Sequence, residues 1–286
     1  MPAMNMKNIL LTVVLCLSPA AFFAQSIPDV IYTGKDSAEV VSLLQEDCGE
    51  DVLFYARKFI GRPYVAATLE QHDCEKLVVN LQELDCTTLV ETVCALTMTK
   101  RQHSDKFADY CRNLERLRYW QGKREGYCSR LHYFAWWMKD NIERGNVELV
   151  EDTAWCNRAM VVNDYYMSKY PERYKFLKGR PERIEIIRQL ERKYNRAEGC
   201  YLGEENTEFV RDSLSFIQNG DIIAIVTTKV GLDYSHLGFA VWGTDGRLHL
   251  LNASMIYHKV VEDKNTLKDY LGRIKSSVGI RLLRLK

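Results

Sequence analysis

A cysteine, a histidine and an asparagine, far apart in the sequence, are the residue types that a cysteine hydrolase needs. Cys86 lies in segment 84–91, His236 follows it by 150 residues in segment 233–239, and Asn252 comes shortly afterwards. A thiol becomes a nucleophile when an imidazole takes its proton and a polar group orients that imidazole. The order and spacing predict Cys86 as nucleophile, His236 as general base and Asn252 as the residue that orients His236.

Cys86 is predicted to occupy the first turn of a buried helix. Asp85 is a favourable N-cap, and apolar residues follow it at helical spacing: Leu89, Val90, Val93 and Leu96. The helix dipole and free backbone N–H groups at such a position can stabilise a thiolate, so a lowered pKa of Cys86 is expected. The same N–H groups, that of Cys86 included, can hold an oxyanion. Taken alone, the segment also fits a buried structural cysteine.

Several motifs together resemble a known superfamily. They are Gly-x-Pro-Tyr at 61–64, Asp-Cys-Thr at 85–87 and Ser-His-x-Gly at 235–238. This set is similar to the NlpC-type papain-like cell-wall cysteine peptidases. The longer segments 61–70, 84–91, 129–133 and 233–239 resemble one branch, the N-acetylmuramoyl-L-alanine amidase-like family, and the resemblance runs from about residue 51 to the C-terminus. It implies a papain-like α+β fold, peptidoglycan fragments as substrate, no metal and no other cofactor.

One position departs from that resemblance, and others gain a role from it. Many relatives carry histidine where this chain has Asn252, whose carbonyl oxygen can still accept the imidazole N–H.

The resemblance places Tyr64 beside the thiol, where its hydroxyl could assist the oxyanion, although a structural aromatic fits equally. Ser129, Arg130 and His132 are candidate substrate-binding residues. The guanidinium could bind a carboxylate bidentately or pair with a neighbouring acid.

The hydrophobic periodicity separates a helical part of the chain from a β-rich part. Helices are predicted within 40–60, 86–98, 105–117, 131–142 and much of 156–196, and strands at 221–228, 235–242, 247–253 and 278–285. This pattern predicts an α+β fold in which helices pack on one face of an antiparallel sheet, with the nucleophile at a helix N-terminus. We interpret residues 25–286 as one domain, with a helical insertion at about 100–199.

The turn between two predicted strands fixes which residues face His236. Gly246 in the third place of Thr244-Asp245-Gly246 predicts a three-residue hairpin that pairs Gly243 with Arg247. Counting back two residues at a time makes Asn252 the diagonal neighbour of His236 on one face. The small Gly238 on that face is expected to leave room for substrate.

The N-terminal segment, the net charge and the cysteines indicate where the protein is located and which partners it has. Lys7 followed by an apolar run that ends in small residues predicts a signal peptide at 1–24 and a periplasmic protein, and no stretch is long enough for a membrane span. A net charge of +1 gives no bulk attraction to nucleic acid. Eight cysteines follow the signal peptide without a CxxC pair, so a zinc site is not expected and most should be buried. We expect a monomer.

These observations leave three functions open. The leading one is hydrolysis of the amide between N-acetylmuramic acid and L-alanine in small muropeptides, because an insertion over the site would narrow it. An endopeptidase that cuts between D-glutamate and the diamino acid of the stem would use the same residues. A non-catalytic muropeptide-binding protein is the third interpretation.

Overall fold

The computed structural model describes residues 30–47, 51–150, 155–206 and 208–286. The predicted signal peptide and Cys48 lie outside these residues. The described α-helices are α1 (Gly34–Gln45), α2 (Val52–Lys58), α3 (Cys86–Arg101), α4 (Phe107–Arg118), α5 (Phe134–Glu143), α6 (Tyr166–Lys169), α7 (Pro181–Tyr194) and α8 (Leu267–Arg273). The described strands are β1 (Val30–Ile31), β2 (Leu77–Val78), β3 (Val147–Leu149), β4 (Arg158–Val161), β5 (Glu198–Gly203), β6 (Ile222–Thr227), β7 (Tyr234–Trp242), β8 (Leu248–Ser254), β9 (Lys259–Thr266) and β10 (Ser277–Leu285).

An eight-stranded sheet forms the centre of the molecule. Its strand order is β4-β5-β10-β6-β7-β8-β9, β3 also pairs with β10, and every pairing in it is antiparallel. The separate pair β1 and β2 is parallel. The predicted antiparallel sheet with packed helices is therefore confirmed as an α+β arrangement.

The sheet is covered on both faces, which differs from the predicted one-sided packing. Side chains of β6 alternate between two cores: Ile222 and Ala224 pack with α3 and α4, whereas Ile223 and Ile225 pack with α8. A strand that is buried on both faces has a continuous run of apolar residues in its sequence, and β6 has nearly such a run. The short α8 carried too weak a pattern to be predicted, so the second layer was missed.

The helix α3 begins at Cys86, as predicted, because Asp85 caps it. The Asp85 side chain accepts a hydrogen bond from the Thr88 N–H at 2.8 Å, and the Thr88 hydroxyl accepts one from the Asp85 N–H at 2.9 Å. This reciprocal pair satisfies two donors that a helix start leaves free. The helix then runs to Arg101 through the main core, which holds Cys86 at the end of a rigid element.

The segment at about 100–199 contains more than helices. It includes α4 to α7, but β3 and β4 also lie in it and pair with β10 and β5. Its aromatic residues Trp136 and Trp137 are fully buried in the main core together with Leu89 and Val93 of α3. The segment is therefore mainly helical but also supplies strands to the sheet, and its origin as an insertion stays a prediction.

The described cysteines divide into four groups. Cys156 and Cys200 form a disulfide across 44 residues of chain, joining the approach to β4 with β5. Cys94 and Cys111 are buried and Cys74 is exposed, so fewer of the described cysteines are buried than the sequence predicted. Cys86 and Cys128 are half-buried.

Candidate active site

Cys86 and His236 line one cavity of about 130 Å³, which we call the thiol cavity. Cys86 enters it from the start of α3, and His236 enters it from β7. The backbone N–H of Leu237, the residue after His236, donates to the Cys86 sulfur, as do the N–H and hydroxyl of Thr87. The packing of α3 against β7 thus brings together two residues that are 150 positions apart.

The protonation of the thiol differs from the expectation for a helix start. Burial raises the pKa of Cys86 to about 12, and the neighbouring Asp85 carboxylate acts in the same direction. The hydrogen bonds from Leu237 and Thr87 lower the pKa but do not offset the burial. The predicted lowering is therefore wrong, and the sulfur is a neutral thiol at neutral pH.

His236 is held by Asn252 in the way that the strand register predicted. The pairings from Phe239 with Leu251 to Trp242 with Leu248, and the Gly243 N–H donating to Arg247 O, follow the three-residue hairpin. The His236 Nε2 lies 2.9 Å from Asn252 Oδ1, and Asn252 is fully buried. Since an amide oxygen only accepts, Nε2 carries the proton and Nδ1 is left as the basic nitrogen.

Burial also sets the charge of the imidazole. His236 is only 8% exposed, and this burial lowers the pKa of the imidazole below 6.5, although the bond to Asn252 opposes the shift. The ring of Tyr270 from α8 stacks on it with centroids 5.9 Å apart and planes at 22°. The resting site is therefore a neutral thiol and a neutral, oriented imidazole.

Gly238 allows β7 and β8 to lie close together and does not leave space for substrate. A Cβ there would lie 2.6 Å from Leu251 O and 3.0 Å from the Asn252 Cβ, so no side chain fits between β7 and β8. The expected free space for substrate at this glycine is absent. Instead, the missing side chain lets β8 approach closely enough for Asn252 to reach His236.

Tyr64 lies near the thiol, as the resemblance implied. The Tyr64 N–H donates to His258 O, and residue 64 bridges Leu84 in parallel, which fixes the segment between the β8–β9 turn and the start of α3. Burial raises the pKa of Tyr64 to about 12, with Cys86 adding to the shift. Its hydroxyl is therefore a proton donor at neutral pH.

A second cavity, of about 220 Å³, adjoins the first, and we call it the arginine cavity. Arg130 and His132 both line it, and His132 lines the thiol cavity as well. The buried Arg130 guanidinium pairs with Glu75 at 3.0 Å and Glu70 at 3.6 Å. This is the pairing with neighbouring acids that the sequence left open as the alternative to substrate binding.

The other two members of that motif have local hydrogen bonds. His132 Nε2 lies 2.8 Å from the Tyr127 carbonyl oxygen, and burial lowers the pKa of His132 well below 6.5, so the ring is neutral. The Ser129 hydroxyl donates to Gly126 O at 2.7 Å and accepts from the Glu125 N–H. Ser129 lines neither of the two cavities.

Two buried charged groups near the site were missed from the sequence. Glu91 of α3 pairs with Arg118 of α4 at 2.7 Å, which anchors the two helices to each other, and the same guanidinium donates to Val78 O at 2.8 Å. Asp164 lines the thiol cavity, and burial together with Asp233 raises the pKa of Asp164. The apolar spacing of α3 gave a signal for a buried Glu91, whereas the loop that carries Asp164 gave none.

The described residues were also compared with the requirements of a metal site and of a membrane-spanning helix. In residues 30–47, 51–150, 155–206 and 208–286, no group of three or more His, Cys, Asp or Glu side chains is placed to hold a metal ion. Within the same residues, no helix has the length and apolar character to cross a bilayer.

Several solved bacterial structures are similar to this chain. An N-acetylmuramoyl-L-alanine amidase from Bacteroides uniformis is 38% identical, with a TM-score of 0.78 over 83% of this chain and 98% of that chain. A candidate xylanase from Bacteroides fragilis is 41% identical, with a TM-score of 0.76 over 82% and 100%. A Legionella pneumophila protein is 22% identical with a TM-score of 0.64 over 88% and 93%, which shows the fold alone.

One protein family matches most of the chain. No functionally curated protein matches the chain. Residues 55–280 match the family described as N-acetylmuramoyl-L-alanine amidase-like, and this range contains Tyr64, Cys86, Arg130, His236 and Asn252. Because the match spans well over half of the sequence, the chain belongs to the N-acetylmuramoyl-L-alanine amidase-like family.

Proposed function

We propose that this protein is a cysteine amidase that hydrolyses the amide between N-acetylmuramic acid and L-alanine in small peptidoglycan fragments. The observation that carries the proposal is the thiol cavity, which contains Cys86 and His236, with Asn252 bonded to the imidazole. The family and the relative named as an amidase support the choice of bond. We also propose that the mechanism is of the papain-like type suggested by the motifs.

The first half of the reaction forms an acyl-enzyme. His236 Nδ1 takes the proton of the Cys86 thiol while the sulfur attacks the amide carbonyl carbon, so the thiolate forms only as it reacts. The backbone N–H of Cys86 and the Tyr64 hydroxyl stabilise the oxyanion, since the Thr88 N–H already donates to Asp85. When the C–N bond breaks, the imidazolium returns its proton to the leaving L-alanine nitrogen, and a thioester to Cys86 remains.

The second half restores the enzyme. His236 takes a proton from water as the water oxygen attacks the thioester carbonyl carbon. Collapse of the tetrahedral intermediate breaks the C–S bond, releases the lactyl carboxylic acid of muramic acid and returns the proton to Cys86. Asn252 keeps the same tautomer available in both halves because its oxygen holds the Nε2 proton.

The alternative functions make different demands on the site. An endopeptidase acting between D-glutamate and the diamino acid would use the same three residues, so only the substrate distinguishes it. A binding protein would not need a tautomer fixed by a buried asparagine. The name of the Bacteroides fragilis relative implies glycoside hydrolysis, which uses a pair of carboxyl groups rather than a thiol and an imidazole.

The function is tested with defined substrates and mass spectrometry of the products. We expect the enzyme to split N-acetylmuramoyl-L-alanine into N-acetylmuramic acid and L-alanine. The rate per bond should be at least about tenfold higher than on purified sacculi, because a narrow site positions a small fragment better than a large polymer. Xylan oligosaccharides serve as the control and should remain intact. Cleavage of a sugar-free stem peptide, or equal digestion of sacculi, would favour the endopeptidase.

Asn252 variants test the role of the imidazole bond. We expect Asn252→Ala to lower kcat by about 10- to 100-fold without abolishing it, because the orienting residue fixes the pose of His236 but takes no proton itself. Asn252→His should retain most of the activity, since a ring nitrogen can accept the same N–H. Unchanged kcat in the alanine variant, with folding verified by circular dichroism, would remove Asn252 from the site.

The compartment and the assembly are proposed rather than observed. We propose export to the periplasm through the segment at 1–24, and a monomeric enzyme. The Cys156–Cys200 disulfide supports export, because disulfides persist in oxidising compartments.

A further inference from the structure

One wall of the thiol cavity is formed by the chain that follows β4. Among the described residues that line this cavity, Asp164 alone carries a carboxyl group. Residues 163–166, which we call the wall segment, lie against the residues that precede β7, where the Tyr165 and Tyr166 N–H groups both donate to Gly231 O at 3.2 Å. The wall segment is therefore bonded to the chain that leads directly into β7.

Two aspartates join the same two segments, and we call them the carboxyl pair. The Asp233 N–H donates to Asp164 Oδ1 at 3.0 Å, and the Asn163 N–H donates to Asp233 Oδ2 at 3.0 Å. The Asp164 and Asp233 side chains are also hydrogen-bonded to each other, and both are buried. Because an ionised carboxylate has no proton to donate, this bond exists only when one of the two groups is protonated.

The surroundings of the two carboxyl groups place the proton on Asp164. Its Oδ2 is buried, and no amide, hydroxyl or amine of the described residues donates to it. A buried anionic oxygen without a donor is costly, whereas a protonated Oδ2 can donate to the Asp233 carboxylate. Asp233 in turn accepts the Asn163 N–H, which suits the charged partner. One proton thus lies in the bond between the wall segment and the residue before β7.

The charged and titratable groups around the carboxyl pair favour this single proton. Glu191 of α7 faces Asp164 and adds to the negative charge there. The hydroxyls of Tyr133 and Tyr234 are neutral, because burial raises the pKa of both, and the Arg281 guanidinium of β10 donates to the Tyr234 hydroxyl at 3.4 Å. Three further titratable groups line the cavity and are neutral at neutral pH: Cys86, His132 and His236. An ionised Asp164 would therefore lie against two other acidic side chains.

We propose that Asp164 and Asp233 are positioning residues, and that the proton they share fastens the wall segment to the strand that carries His236. Asp233 lies three residues before His236, so a shift of this contact is passed along β7 to the imidazole. When the proton leaves, two buried carboxylates are in contact and repel each other. The wall segment then separates from β7, and the thiol cavity no longer holds the scissile amide between Cys86 and His236.

The kinetic consequence, which rests on the proposed function, is an upper pH limit on activity. Burial, and after it the neighbouring Asp233, raises the pKa of Asp164 to about 8. Activity should persist up to this pH and fall as the pH rises through it, because the folded enzyme then loses the proton. The Cys86 thiol does not cause this fall, since burial raises its pKa to about 12. The carboxyl pair therefore predicts an alkaline limb of kcat/KM at about pH 8.

The test compares the pH profiles of kcat/KM on N-acetylmuramoyl-L-alanine from about pH 5 to about pH 10. Asp164→Asn replaces the protonated oxygen by an amide N–H, which donates to Asp233 at every pH. We expect this variant to retain most of the wild-type activity at neutral pH and to move the alkaline limb up by at least about one pH unit. Asp164→Ala cannot form the contact and should lose about tenfold in kcat/KM already at neutral pH.

Asp140→Asn is the matched control, because Asp140 is a buried aspartate that pairs with Arg144 and lines neither cavity. Its alkaline limb should lie at the wild-type pH. If Asp164→Asn does not fold, Asp233→Asn takes its place, since its amide also supplies a permanent N–H to the other carboxyl group. An alkaline limb that stays at the wild-type pH in the asparagine variant would overturn the proposal, as would a wild-type profile without a limb below about pH 9.

Hydrogen exchange separates a failure of the positioning role from a failure of the proposed function. The Tyr165 and Tyr166 amides, which donate to Gly231 O, report opening of the wall segment without any substrate. Compared with Asp164→Asn at the same pH, the wild-type amides should exchange at a similar rate at neutral pH and at least about tenfold faster at about pH 9. Similar rates at both pH values refute the opening of the wall. Faster exchange in a protein that does not hydrolyse the substrate supports the carboxyl pair and removes the proposed function.

Discussion

Cys86→Ala is expected to lower kcat by about 10⁶-fold while leaving the protein folded, by analogy with the deletion of a nucleophile from a catalytic triad. The sulfur forms the acyl-enzyme, and no other described thiol lines either cavity. The fold should tolerate the change because Cys86 is half-buried, and the cap between Asp85 and Thr88 does not involve its side chain.

The measurement is kcat on N-acetylmuramoyl-L-alanine, with thermal unfolding as the check on stability. Cys128→Ala is the matched control, since Cys128 is also half-buried but lies outside both cavities. It should keep wild-type kcat. A Cys86→Ala enzyme within tenfold of wild type would show that the nucleophile is another group.

His236→Ala should cost nearly as much as the loss of the thiol, and the double variant Cys86→Ala/His236→Ala should be no worse than either single one. The reason is that the thiol stays protonated at neutral pH unless the imidazole removes its proton, so the two residues act as a unit. His249→Ala is the control, because His249 lines a different cavity. Independent, multiplying losses would contradict a shared step.

His236 also sets the pH dependence of kcat/KM. The base is the neutral imidazole, and burial lowers the pKa of His236 below 6.5, so the neutral form persists as the pH falls through 6.5. The acid limb of kcat/KM for the free enzyme should therefore lie below pH 6.5. A limb at or above this value would mean that the imidazole is not buried in the working enzyme.

The sequence was sufficient for those parts of the site that depend on local rules. Asp85 and Thr88 form the cap that starts α3 at Cys86, and Gly246 selects the hairpin that sets Asn252 beside His236. Both inferences use short-range geometry, in which a few residues fix the backbone. They needed no knowledge of the remaining chain.

Inferences that depend on distant packing failed or were absent. The pKa of Cys86 depends on how completely β7 and the neighbouring segments cover the first turn, which no local pattern records. In the edge strand β9, apolar and polar residues alternate only weakly and several residues are charged, so the sequence did not predict a strand there. Asp164 reaches the thiol cavity because the chain after β4 packs against the residue that precedes β7, where the Asp233 N–H donates to the Asp164 carboxyl group.

The position of the disulfide bears on aggregation as well as on compartment. Among the described strands β4 is an outer strand of the sheet, its Val161 is exposed, and the Cys156–Cys200 disulfide ties the approach to β4 to the neighbouring β5. An unclamped outer strand is a template for pairing with another chain. Handling this protein under reducing conditions would therefore loosen an outer strand that can pair with another chain, and precipitation is the expected result.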